Sequence, residues 1–123
     1  MIQPMKKVMV LGATPNKRRF AHTCVKSLMR YGYEVIPVGI KEGEISGKEI
    51  LQGKPQVRDL HTVTIYLSDR NQEEYYDYLL NQNPQRIIFN PGAENHRLKE
   101  LAGKNNIEVV EDCTLVMLNS GYF

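Results

Sequence analysis

A chain of 123 residues, 41% hydrophobic and 24% charged, can bury a core without disulfides or a structural metal, and its length fits one domain over residues 1–123. The net charge is only +2, with the sixteen Lys and Arg spread along the sequence, so it lacks the concentrated basic stripe of a nucleic-acid binder. Cys24 and Cys113 stand far apart and fit no C-x-x-C spacing, which argues against a zinc site or a disulfide framework.

Met1 to Met5 lack the apolar core of a secretory signal, and no later window approaches a bilayer-spanning length. A cytoplasmic location without membrane contact is expected. The informative pattern starts at Lys6. Val8 to Leu11 is a short apolar run that breaks at Gly12 and turns polar and basic before a helical pattern begins. A strand that ends at a glycine turn and feeds a helix places backbone N–H groups and the positive end of the helix dipole where an anion can sit. Lys17, Arg18 and Arg19 add full charges. They can be read as the solvated start of a helix, but cations there are mildly unfavourable without an anion. Lys17 and Arg18 are therefore read as ligand-facing, and Arg19 as a bystander.

Residues 18–31 carry Phe20, Cys24, Leu28 and Tyr31 on one helical face, widened by Val25 and Met29, and Gly32 ends the helix. Val35 to Val38 is a second strand, and Pro37 marks it as a strand end or irregular edge. Residues 39–61, punctuated by Gly39, Gly43, Gly47, Gly53 and Pro55, read as a long functional loop with helical turns at most near Lys48–Gln52 and Val57–Leu60. Thr62 to Leu67 gives a third strand. Ser68 and Asp69 compete to cap the next helix, whose buried face is Tyr75, Tyr76, Leu79 and Leu80. Pro84 stops it. Arg86 to Phe89 is a fourth strand, ending at Asn90-Pro91-Gly92; Leu98, Leu101 and Ala102 mark a short helix; Ile107 to Val110 is the fifth strand; and Leu115 to Leu118 sit in a last helix.

Strands alternating with helices predict an α/β fold: a Rossmann-like three-layer sandwich whose five-stranded parallel sheet has helices on both faces. The expected order is 3-2-1-4-5, with the crevice beyond the carboxyl ends of strands one and four. Loops 12–18, 39–41, 68–70 and 90–94 would face it.

The dinucleotide fingerprint G-x-G-x-x-G fails here, because Thr14 and Lys17 stand where its second and third glycines belong. An acid to hold ribose hydroxyls is also missing at the end of strand two, which reads Val38-Gly39-Ile40-Lys41. A cation there suits a ribose that itself carries a phosphate, which points to NADP or to the 3′-phospho-ADP portion of coenzyme A.

Four segments carry a family likeness: Val10-Leu11-Gly12-Ala13-Thr14 against a V-x-G-A-S turn, Gly32 to Val38, Phe89 to Asn95, and Val109 to Cys113. Ile45-Ser46-Gly47-Lys48 matches an I-x-G-K step as well. In these the chain resembles the small stand-alone CoA-binding proteins, which are similar to the CoA-binding domain of the succinyl-CoA synthetase α subunit. The resemblance implies a CoA-type ligand across the strand ends. Gly12, Ala13 and Thr14 would contact phosphate with Lys17 and Arg18 nearby. Val38 and Lys41 would flank the adenosine or its 3′-phosphate, Leu67, Ser68 and Arg70 would follow strand three on the same rim, and Asn90, Pro91 and Gly92 would approach from strand four. Gly39-Ile40 departs from the family's frequent Asn-Pro. The synthetase's phosphorylated histidine lies in a second domain with no counterpart in this sequence, so that reaction is not implied.

The expected function is therefore binding of coenzyme A or an acyl-CoA, a small-molecule nucleotide ligand, with no catalytic residue. One alternative is an enzyme, either an NADP-dependent oxidoreductase or an acyl-CoA transferase using Cys113. Glu111 and Asp112 oppose the lowered thiol pKa that Cys113 would need. Another is a regulatory or interaction protein with a vestigial crevice. Cys24 reads as core packing, His22 and His61 as surface, and His96 as a residue able to reach the crevice.

Overall fold

The computed structural model describes residues 6–123, so the reading of Met1 to Met5 lies outside the described residues. In chain order the elements are β1 (Lys7–Leu11), α1 (Phe20–Arg30), β2 (Glu34–Val38), β3 (Glu44–Ile45), β4 (Lys48–Glu49), β5 (Leu60–Ile65), α2 (Asp69–Gln72), a 3-10 turn at Glu73–Tyr75, α3 (Tyr76–Gln82), β6 (Arg86–Phe89), α4 (His96–Lys104), β7 (Glu108–Glu111) and α5 (Thr114–Ser120).

Period-two alternation in β1 explains the layering. Val8 and Val10 join one core with Cys24, Val25 and Leu28 of α1 and Leu118 of α5. Met9 and Leu11 join the other with Leu79 of α3 and Leu98 and Ala102 of α4. Val8, Met9, Val10 and Leu11 are essentially fully buried, each contributing roughly 1.5–3 kcal/mol of burial free energy. A strand buried on both faces needs helices on both, and the Rossmann-like α/β sandwich follows.

The parallel sheet runs β2-β1-β5-β6-β7. Leu51 makes a single parallel bridge to Val38, with the Gly39 N–H donating to the Leu51 carbonyl and the Leu51 N–H to that of Pro37, both at 2.9 Å. This rudimentary strand takes the third place, outside β2, and completes the Rossmann-like order 3-2-1-4-5-6. The segment expected in that place is displaced: the Thr62–Leu67 strand, realised as β5, lies on the other side of β1, between β1 and β6. Burial explains the exchange. Five of the six β5 residues are buried, which a central strand can satisfy and an edge cannot. Pro37 occupies the marginal strand, as its missing N–H predicts.

Four local expectations are corrected. No helical turn forms near Lys48. Ser46 (φ +50°) and Gly47 (φ +84°) instead make a two-residue hairpin turn, with both residues left-handed as a type I′ turn requires, between β3 and β4. Residues 57–59 are not helical either; a turn at Arg58-Asp59 leads into β5. On α1 the buried stripe is Ala21, Cys24, Val25 and Leu28, whereas Phe20 is 74% and Tyr31 51% exposed. The two lie at opposite ends of the helix, where the sheet no longer covers them. His22, expected at the surface, is only 6% exposed.

Candidate functional site

A cleft of about 740 Å3 opens beyond the carboxyl ends of β1 and β5, not of the first and fourth strands. This follows from the sheet order, because chain connections leave β1 in opposite directions at that point. Its floor is the turn after β1. Gly12 sits at φ +102°, a conformation that suits glycine. The Gly12 and Ala13 N–H groups both donate to the Val38 carbonyl, at 2.8 and 2.9 Å. Those two amides lock the turn to β2. Gly39 makes the close fit possible: a Cβ there would lie 2.0 Å from the Ala13 carbonyl oxygen. This is a physical reason for glycine after β2.

The turn then satisfies itself. The Thr14 hydroxyl accepts from the Asn16 N–H at 3.2 Å, and Asn16 Oδ1 accepts from the Arg18 N–H at 3.0 Å. His22 Nδ1 donates to the Thr14 carbonyl at 3.0 Å. Helix α1 begins at Phe20 with no side-chain cap and no acid in its first turn. In the first turn the His22 N–H donates to the Arg19 carbonyl at 3.1 Å; Phe20 and Ala21, whose amides have no intrahelical acceptor, line the cleft beside Arg19. The site therefore combines a helix N-terminus, one guanidinium and, across the mouth, Lys41. Glu74 is the one carboxylate in the lining.

Of the residues expected at the site, Gly12, Ala13, Thr14, Val38, Lys41, Leu67, Ser68 and Pro91 line the cleft. Lys17, Arg18, Arg70, Asn90 and Gly92 do not. Lys17 borders a separate dent, and Arg18 and Arg70 are exposed. The Gly92 N–H donates to Glu94 Oε1 at 2.9 Å. Asn90 is buried, and its side chain is fully engaged. Nδ2 donates to Thr64 Oγ1 (2.7 Å) and the Ile65 carbonyl (2.9 Å), and Oδ1 accepts from the Thr114 N–H (2.9 Å). It fastens β6 to β5 and caps α5.

The sequence reading set Arg19 aside, yet it is the member of the basic triplet that lines the cleft. Tyr66, Asn71 and Tyr75 also line it unforeseen; they come into range because β5 neighbours β1. Ile40, 84% exposed, and Phe20 flank the mouth as the two most exposed large apolar side chains among the described residues. The Tyr66 hydroxyl is buried near Cys24 and Thr114 without a hydrogen bond of normal geometry. Burial first, then neighbouring Cys24, raises its pKa and keeps it protonated. Burial likewise pushes the Cys24 thiol up to about 12, which makes it inert. Cys113, half-buried at the N-cap of α5, is not in the lining. Nor is His96, which pairs with Glu100 at 3.2 Å. Among the described residues no helix is long and apolar enough to cross a membrane.

A parallel sheet covered on both faces, with its cleft at the switch point, makes this a Rossmann-like α/β protein. The chain belongs to the CoA binding domain family, which matches residues 6–119. It is similar to a solved structure described as an uncharacterized protein, with 46% identity, a TM-score of 0.94, and coverage of 98% of this chain and 100% of that one. A hypothetical protein from Pyrococcus horikoshii OT3 shares 22% identity at a TM-score of 0.81, over 96% of this chain and 84% of its own. The cell-free ID.343 protein from Thermus thermophilus shares 22% at 0.80, over 97% and 91%. These last two likenesses show the fold alone. No curated protein matches the chain.

Proposed function

We propose that the protein binds coenzyme A or an acyl-CoA in the cleft and does no chemistry on it. The observation that carries this reading is the uncapped, acid-free first turn of α1, set beside Arg19 and opening on a cleft of about 740 Å3. Family membership supplies the ligand class. In this reading the pyrophosphate sits against the first turn of α1 and the Thr14 side of the turn, with Arg19 as its cation. The adenosine lies along Val38, Gly39 and Ile40, with Lys41 toward the 3′-phosphate. Leu67, Ser68 and Pro91 form the opposite wall. Lys17 and Arg18 act at longer range. Cys113 and His96 lie outside the cleft lining, and Glu74, its one carboxylate, has no histidine or cysteine beside it there to act with, which favours binding over thiol or imidazole chemistry.

The test is thermal melting with CoA, dephospho-CoA and NADP in parallel. A ligand at a hundred times its dissociation constant adds about 2.7 kcal/mol to folding stability, so CoA raises the midpoint by several degrees. Dephospho-CoA raises it less, because the contact with Lys41 is lost. An unmoved midpoint at millimolar CoA refutes the reading, and a larger shift with NADP transfers the site to that cofactor.

A further inference from the structure

The exposed side of α1 carries a feature that the cleft does not use. Lys17, His22, Thr23, Lys26, Ser27 and Arg30 line a dent of about 160 Å3 that shares no lining residue with the cleft. Three of the six are permanent cations, two are hydroxyls and none is an acid. None of the three cations takes part in a salt bridge within the described residues. The charge is segregated: residues 17–30 hold five Lys and Arg and no acid, so the other eleven cations face fourteen acids and the rest of the chain is net −3.

Helix geometry brings these side chains to one face. Thr23, Lys26, Ser27 and Arg30 follow the i, i+3, i+4, i+7 stripe. Lys26 and Arg30, one turn apart, repel each other in the absence of an anion. The helix dipole accounts for Arg30 in the last turn but not for Lys17 at the opposite, positive end. His22, more than nine-tenths buried, forms part of the lining. Its Nδ1 bond to the Thr14 carbonyl holds the ring in one orientation and ties this wall of the dent to the turn after β1. A space of about 160 Å3 accommodates one phosphoryl group with a few waters, at about 30 Å3 per water.

We propose that this dent is a second anion site that takes the phosphoryl group of a small ligand, independently of what the cleft binds. Lys26 and Arg30 hold the charge, Thr23 and Ser27 donate from their hydroxyls, and Lys17 closes the near end.

The test is a titration of the full chain with inorganic pyrophosphate at constant ionic strength, followed residue by residue by 1H–15N NMR, with orthophosphate and a sugar phosphate as parallel arms. Saturable shifts are expected at Thr23, Lys26, Ser27 and Arg30. Loss of charge in K26Q/R30Q weakens binding about tenfold, whereas R19Q, a cleft variant, leaves it within about twofold. Tighter binding of the sugar phosphate than of either inorganic ion identifies an organic phosphate as the source; the reverse identifies free phosphate. Shifts that never saturate, or that persist unchanged in K26Q/R30Q, overturn the proposal. So does a single-stranded oligonucleotide that binds these residues when pyrophosphate does not. K17Q, outside the helix, is the second variant should K26Q/R30Q lose helicity, and it is expected to weaken binding about threefold.

Discussion

The turns that follow β1 and β6 look alike in sequence and behave oppositely. Each leaves a buried strand, contains a glycine and a proline, and reaches the carboxyl edge of the sheet. After β1, the Gly12 and Ala13 amides are used to hold β2, while the helix that follows begins uncapped at a cleft. After β6, the Asn90 side chain is used up in three hydrogen bonds to its neighbours, and only Pro91 reaches the cleft wall. The first turn spends its polar groups on itself and on β2, and only the start of α1 beyond it faces the cleft; the second spends them on joining three elements. A hydrogen-bond account separates two turns that composition cannot.

Substitutions can break this contrast, and Gly39→Ala has the largest expected effect. The new Cβ meets a backbone oxygen that no side-chain movement can relieve, so about 3 kcal/mol of stability is lost in denaturant unfolding, the upper end for overpacking, together with CoA uptake. Asn90→Ala comes next. Stranding buried groups on β5 and α5 costs about 2–3 kcal/mol, yet the protein that remains folded binds CoA within about twofold of the parent. A tenfold loss of affinity there would make Asn90 a ligand contact. Arg19→Gln reverses the pattern: stability within about 0.5 kcal/mol by unfolding, and CoA affinity down about tenfold by calorimetry. The Lys17→Gln/Arg18→Gln pair is expected to weaken CoA by less; a greater loss than for Arg19 would refute the placement of the anion. The smallest effect concerns pH. Burial, then the charges of Lys6 and Arg86, depresses the His61 pKa below 6.5. The unfolded chain therefore takes up the proton first, so this contribution is complete above pH 6.5 and is lost as pH falls through the folded value. His61→Asn should flatten that part of a stability–pH curve.

Most of the fold was legible because β-strands buried on both sides leave continuous apolar runs, and Val8–Leu11 and Ile87–Phe89 are such runs. The place of the Thr62–Leu67 strand in the sheet was not legible. The pairing of β5 with β1 depends on a long crossover in which Leu51 alone makes a strand bridge to β2, and one residue gives no periodicity. The hairpin at Ser46-Gly47 was missed because two-residue strands are too short to alternate. Within the site, glycine and proline positions were readable and side-chain direction was not. Arg18 and Arg19 are adjacent in sequence, and only the start of α1 decides which of them faces the cleft.

The two margins of the sheet also differ. Beside β2, Leu51 and the β3–β4 hairpin fill the open side of the ladder. At the far margin β7 pairs with β6 alone, and it reads Glu-Val-Val-Glu, with an acid at each end of a four-residue strand. Short length and charged ends, with Glu111 paired to Lys99, discourage a second chain from docking there as another strand. The sheet thus resists edge-to-edge aggregation by occupancy on one flank and by a brief, charged strand on the other.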